Sequence, residues 1–326
     1  MLTRQFGTTG ISASVVGLGT WAIGGSMWGG SDDAESIAAI RSSVDAGITL
    51  IDTAPAYGKG RSEELVGKAL RGRRDEVTIS TKCGLVWSSD GSESSFDPKG
   101  ASIQRHLDPK SVRREIEQSL TRLDTDVIDI YHTHWPDPTT PIADTMETLT
   151  ALKEEGKIRA IAASNVSLED IREYSEAGEL SGIQESYSAL ERGLDDEIAP
   201  HCKAQQISIM SYSSLALGIL SGKILPDRVF EGDDQRIEHP RFSVQNRANV
   251  LLMLAELDTL RLSLGLTTAQ LVIAWTLVQP GITYSLVGAR NVAQATENAE
   301  AGDVELTNDA VALIDRVFKA KASSLK

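Results

Sequence analysis

Cysteine is almost missing from this chain, with two, Cys83 and Cys202, among 326 residues. Two thiols without ligand spacing build neither a disulfide framework nor a zinc site, so they read as buried or idle. Cys83 follows Lys82 directly, and a lowered thiol pKa is the one chemical expectation it carries. No apolar run is long enough to cross a bilayer. The opening MLTRQFGTTG has neither a basic n-region nor an apolar h-region, so a cytoplasmic protein is expected. Basic residues are in the minority, 32 Lys and Arg against 46 Asp and Glu, a formal charge of −14 with neither sign gathered into blocks. Such a surface repels phosphate backbones and anionic membranes, which argues against nucleic-acid and membrane partners. Repeats, linkers and low-complexity stretches are missing too, so residues 1–326 read as one domain.

What the chain does have is alternation. Short Val- and Ile-rich runs near 15–18, 48–51, 77–81, 127–131, 158–163, 182–186, 207–212 and 283–287 read as strands. Amphipathic stretches near 33–46, 61–71, 109–122, 142–156, 167–177, 195–206, 268–279 and 291–300 read as helices, some opened by caps such as Asp108-Pro109 and Thr267. Eight strands alternating with eight helices predict an α/β fold, a (β/α)8 TIM barrel. A Gly-bounded turn between LTRQF and ISASVV predicts an N-terminal hairpin. A last helix near 307–320 has no catalytic claim. Two segments, Leu85 to Leu107 and Leu217 to about Ser243, fit neither pattern and read as long loops over the mouth.

Asp52, Tyr57, Lys82 and His134 stand at or just beyond the ends of three of these runs, where barrel strands converge. An ammonium at Lys82 favours a phenolate at Tyr57, so a lowered phenol pKa is expected there. Asp52 would hold the buried Lys82 charged, and His134 would orient a substrate oxygen. The set suits proton donation to a carbonyl while hydride arrives from a cofactor, since no side chain donates hydride. His132 and His134 invite a metal reading, but the other ligands are lacking and no metal is expected; His132 reads as a hydrogen-bonded histidine inside the barrel. Gly17-Leu18-Gly19 lacks the helix start and acidic partner of a dinucleotide loop, and that reading is rejected.

These residues carry a resemblance. Asp52 and Tyr57 within IDTAPAYGKGRSEELVGKAL, Lys82 in STKCG, His134 in HTHWPDP, Ser164-Asn165 in IRAIAASNVS and Gln184 after them resemble the aldo-keto reductase superfamily. Within it the chain is most similar to the bacterial general-stress and inositol-cluster reductases, and the likeness runs nearly from end to end. The resemblance implies a hairpin closing the barrel floor, a cytoplasmic reductase of aldehydes or ketones, and a catalytic Asp52, Tyr57, Lys82 and His134. It implies NADP(H) as cofactor, with NAD(H) weaker.

The cofactor has further candidates. Ser164, Asn165 and Gln184 suit a carboxamide, and Tyr212 suits stacking on a nicotinamide ring. The stretch from Ser213 through Leu215 and Gly218 to Lys223 offers amides and an ammonium for a pyrophosphate, and Arg236 reads equally as folding over it or as a solvated surface arginine. Gly288 and Arg290 lead into a helix whose N-terminus favours an anion, and Arg290 suits the 2′-phosphate of NADP. By resemblance Gln294 joins the adenosine end and Glu297 and Asn298 lie beside the adenine; Gly19, Thr20, Trp21 and Asp52 are further cofactor-binding candidates. Trp21, Trp87 and Trp135, with Tyr57 and His134, are the expected substrate pocket for a hydroxylated, sugar-like or alicyclic carbonyl. Two rivals use the same scaffold type: a cofactor-sensing binding protein with little turnover, and a metal-dependent barrel hydrolase.

Overall fold

A computed structural model describes residues 1–87 and 103–321. Eight parallel strands close into a barrel: β3 (Val16–Gly19), β4 (Leu50–Asp52), β5 (Thr78–Cys83), β8 (Ile128–Thr133), β9 (Ile158–Ser164), β10 (Gly182–Ser186), β11 (Ser208–Tyr212) and β12 (Ile282–Gly288), with β12 returning to β3. All eight match the expected runs. Their residues are buried on both faces, which is why they read as near-continuous apolar runs. An outer layer of helices covers them, including α2 (Asp33–Asp45), α3 (Arg61–Ala69), α4 (Pro109–Leu123), α10 (Thr268–Leu277) and α11 (Val292–Glu300). Asp108 accepts from the amides of Lys110 and Ser111, and Thr267 forms a capping box with Gln270, so both expected caps start helices.

The side-chain period of two divides the interior from the helix layer. Leu50, Ile130, Ala160, Ala162, Met210, Tyr284 and Leu286 form a separate apolar cluster inside the barrel, seated on Phe6, Ile11 and Ala13 of the N-terminal hairpin. That hairpin, β1 (Thr3–Gln5) with β2 (Ser12–Ser14), closes the floor. Phe6 fills the space that Gly182 leaves, where a Cβ would lie 2.3 Å from Cζ of the ring. Arg4 donates to the carbonyls of Leu277, Ile282 and Thr283, and the Tyr284 hydroxyl donates to Arg4 O.

Three elements differ from expectation. The segment from Leu85 begins and ends as an antiparallel pair, β6 (Leu85–Trp87) with β7 (Ile103–Arg105), while 88–102 fall outside the described residues. Three-residue strands paired across so long a gap leave no readable period. A four-residue helix, α1 (Trp21–Gly24), follows β3. Residues 244–263 form α8 (Val244–Ala255) and α9 (Asp258–Ser263), in a stretch to which the sequence reading gave no element. The Leu217–Ser243 segment is mostly turns with two single 3-10 turns, as a long loop should be. Among the described residues no helix is long and apolar enough to cross a membrane.

Candidate active site

Register brings the four residues to one end of the barrel. Asp52 pairs with Ser80 across β4 and β5, and Lys82 with His132 across β5 and β8. Lys82 is fully buried and its Nζ donates to Asp52 Oδ1 at 3.0 Å, Oδ2 at 2.8 Å and Thr53 O at 2.9 Å. Asp52 Oδ1 also accepts from Ser80 Oγ and Gln184 Nε2, each at 2.8 Å. The Tyr57 ring centroid lies 4.9 Å from Lys82 Nζ and 5.8 Å from the His134 ring, edge-on. Trp21 stacks on Tyr57 at 6.2 Å and meets Trp28 edge-on at 5.5 Å. Tyr57 sits in a turn that packs backbone against backbone on α1. A Cβ on Gly58 would lie 2.2 Å from Gly24 O, and one on Gly24 2.6 Å from the Tyr57 carbonyl carbon. Gly58 also has φ +66°, so both glycines are needed to place the phenol.

The electrostatics depart from expectation at Tyr57. Burial pushes its phenol well above the ordinary 10, and the Asp52 carboxylate pushes the same way. The Lys82 charge is already spent on Asp52, so the pair presents little net field to the phenol. Tyr57 therefore holds its proton rather than losing it. Burial lowers Lys82, with Asp52 opposing. His134 is held well below 6.5 by burial, then by Lys82 and His132, so its imidazole is neutral. Reduction of a carbonyl is accordingly expected to show no inflection in kcat/KM between about pH 6 and 8, because the neutral form persists as pH falls through 6.5. A break near 6.5 that vanishes in His134→Gln would contradict this. Both cysteines are buried and form no disulfide, as expected, while the Cys83 thiol is not lowered: burial, then Glu115, push it up.

The cofactor candidates separate into groups. Ser164, Asn165, Gln184 and Tyr212 meet at the mouth: Tyr212 donates to Asn165 Oδ1 at 2.7 Å, Asn165 Nδ2 donates to His134 O at 2.8 Å, and Ser164 Oγ donates to Gln184 O at 2.7 Å. Gln184 spends its amide on Asp52, a role the sequence did not suggest. Thr20 is turned into the rim, where its hydroxyl donates to Asp52 O beside Gly19 at the end of β3. After β11 the chain turns through positive φ at Ser213, Ala216, Leu217 and Gly218. Several of its amides bond within the turn, including Ala216 to Ser213 O, Gly218 and Leu220 to Leu215 O, and Ser221 to Gly218 O. The expected amide cradle is thus partly self-satisfied.

Lys223 is ion-paired with Glu297. Both line a cavity of about 660 Å³ with Asn291, Gln294, Thr296 and Glu300. Arg290, which precedes Asn291, gives its guanidinium to Trp28 O and Gly30 O, while Gln294 accepts from its amide. Asn298 is buried and donates to Gly288 O. Arg236 is no solvated surface residue: Asp234 holds it at 2.9 and 2.6 Å, and it lies over Trp28 and Phe230. Nearby, Asp233 accepts from the amides of Met27 and Gly29, so the 230–236 loop is tied to the loop after β3. Trp87 ends β6, and the Trp135 face is covered by Arg105 at 4.7 Å. Sequence reasoning missed Ser80 and Asp233; Ser80 was findable, since it shares the face of Lys82 two residues on. Among the described residues no three His, Cys, Asp or Glu side chains gather where a metal ion could be held.

Residues 15–319 match the Aldo/keto reductase family. Aldo-keto reductase YhdN of Bacillus subtilis (strain 168) is 44% identical over 289 residues, 88% of this chain and 84% of that protein. The NADH-specific methylglyoxal reductase of Escherichia coli (strain K12) is 41% identical over 321 residues, 96% of this chain and 97% of its own length. The structure of glycerol dehydrogenase AKR11B4 from Gluconobacter oxydans superposes with a TM-score of 0.87 at 34% identity, covering 98% of this chain and 95% of the other. The chain belongs to the aldo/keto reductase family, and it is an oxidoreductase of small carbonyl compounds.

Proposed function

We propose that this family member reduces aldehydes and ketones reversibly with NADP(H), using NAD(H) more weakly, and favours small hydroxylated, sugar-like or alicyclic carbonyls. The observation that carries the reading is a buried Asp52–Lys82 pair beneath a phenol that keeps its proton, with a neutral imidazole beside it. Tyr57 holds the proton for a carbonyl oxygen, His134 orients that oxygen, and Asp52 fixes Lys82 under the phenol. A bound nicotinamide cofactor supplies the hydride. The residues fit such a group: Trp28 Nε1 and Gln235 Nε2 are buried donors with no hydrogen-bond partner, beside the loop that carries Arg236. Ser164, Asn165 and Tyr212 would meet the carboxamide end, and Arg290, Gln294 and Glu297 the adenosine end.

Arg290 supports the NADP(H) preference, because its guanidinium hydrogen-bonds neutral carbonyls, those of Trp28 and Gly30, and gains more from a phosphate. Arg290→Ala is expected to raise the NADPH dissociation constant about tenfold and that of NADH less than about threefold, read by Trp fluorescence titration. Equal losses would put the residue's role in loop tethering alone. The substrate class rests on Trp21 and Trp87 offering flat apolar faces at the mouth. A panel of hydroxyaldehydes, ketoses, alicyclic ketones and alkanals, followed by NADPH and NADH absorbance, tests both halves; higher kcat/KM on alkanals of equal size would sink the substrate class.

A further inference from the structure

The reductase reading leaves one fully buried titratable group unused. His132 is 0% exposed on the inner face of β8, two residues below His134 and level with Lys82. Its Nε2 lies 3.1 Å from Ser80 Oγ, and that oxygen lies 2.8 Å from Asp52 Oδ1. The serine has one proton, and a carboxylate can only accept, so the proton goes to Asp52. The bond on the other side of the oxygen must then be supplied by the imidazole. The Ser80 contact thereby selects the neutral Nε2–H tautomer and leaves Nδ1 as a buried atom without a partner, while burial and then Lys82 hold the imidazole well below 6.5 against the opposing pull of the Ala163 backbone.

We propose that His132 is a positioning residue for carbonyl reduction, acting through Ser80 to hold the Asp52 carboxylate, and so Lys82, in place beneath Tyr57. The inference rests on the reductase reading and deepens it. Each link points one way: His132 Nε2–H to Ser80, Ser80 to Asp52 Oδ1, with Lys82 and Gln184 donating to the same carboxylate. Chains of this kind polarise their members and end strongest on an ionised acceptor. Without the imidazole donor, Ser80 keeps a buried unpaired oxygen and its hydroxyl is free to turn off Asp52. Packing alone does not require histidine here. The interior just beneath is filled by Leu50, Ile130, Ala162 and Met210, and an apolar residue would continue that layer.

The test has two arms. In protein labelled with [15N]histidine, His132→Gln identifies the His132 signals among the five histidines. Those signals should show a neutral Nε2–H imidazole at every pH from about 6 to 9, and Ser80→Ala should move its Nε2 resonance. An Nδ1–H tautomer, or titration near 6.5, overturns the bond chain. In the kinetic arm, His132→Leu is expected to lower kcat about tenfold while KM for the carbonyl and the cofactor dissociation constant stay within about twofold. His132→Gln, which keeps a donor, should recover kcat to within about threefold of the wild type. Combining His132→Leu with Ser80→Ala should be no slower than the slower single variant, since both cut one chain. A Gln variant as slow as Leu, additive losses, or an unaffected Leu variant overturns the positioning role. Absence of wild-type turnover with either nicotinamide cofactor overturns the reductase reading itself and the catalytic half of this inference, while the tautomer measurement still decides the bond chain.

Discussion

Tyr57→Phe is expected to cut kcat/KM for carbonyl reduction by at least ~100-fold while leaving cofactor affinity within about twofold of wild type. The ring survives the change, so the stack on Trp21 and the edge contact with His134 persist and the fold has no reason to shift. Only the acid is lost. His134 offers no replacement, because its imidazole is neutral and burial opposes charging it. Lys82 offers none either, since its donors point at Asp52 and Thr53. Steady-state reduction followed by cofactor absorbance gives the rate, and Trp fluorescence gives the affinity. Near-normal turnover in the variant would mean that the proton comes from elsewhere.

Asp52→Asn should act first on stability. It removes the counter-charge of an ammonium that is fully buried, and unpairing a buried ion pair from one side costs roughly 3–5 kcal/mol. The pH dependence has a definite sign. Burial already lowers the folded-state pKa of Lys82 and Asp52 opposes that, so the variant lowers it further. Below that folded pKa the deficit relative to wild type is full. As pH rises above it, folded Lys82 sheds its proton while the unfolded chain retains one up to the ordinary 10.5, and the deficit narrows. Urea denaturation of both proteins at about pH 7 and pH 9.5 reads the effect. A deficit that is constant or grows with pH would show that Lys82 is not the group left exposed to the change.

The barrel was legible because buried parallel strands write themselves as Val- and Ile-rich runs at regular spacing, and the caps Asp108 and Thr267 mark helix starts chemically. Elements that depend on distant partners were not: β6 and β7 are three residues each, and α1 exists to rest on the Tyr57 turn. In the site, residue types at strand ends pointed to the four central groups, and the fold brings them together. Direction of charge was harder. Lys82 next to Tyr57 suggested a lowered phenol, but whether its ammonium faces the phenol or Asp52 is decided by side-chain placement. Lys223 shows the same limit, since a loop ammonium has several anions within reach and pairs with Glu297.

The hairpin under the barrel has a consequence for proton traffic. With Phe6 seated in the floor and an apolar layer above it, the interior is a blind well open at one end. The Tyr284 hydroxyl in that layer is spent on Arg4 O, and the Ser80 hydroxyl on Asp52. Among the described residues the hydrogen-bond chain beside Lys82, through Ser80 and His132, ends on Asp52 and not on the floor, so a proton that leaves Tyr57 is replaced from the mouth, along the path by which the alcohol departs. Reprotonation and product escape thus share a single doorway, and viscosity and solvent deuterium should slow multiple turnovers through the same late step.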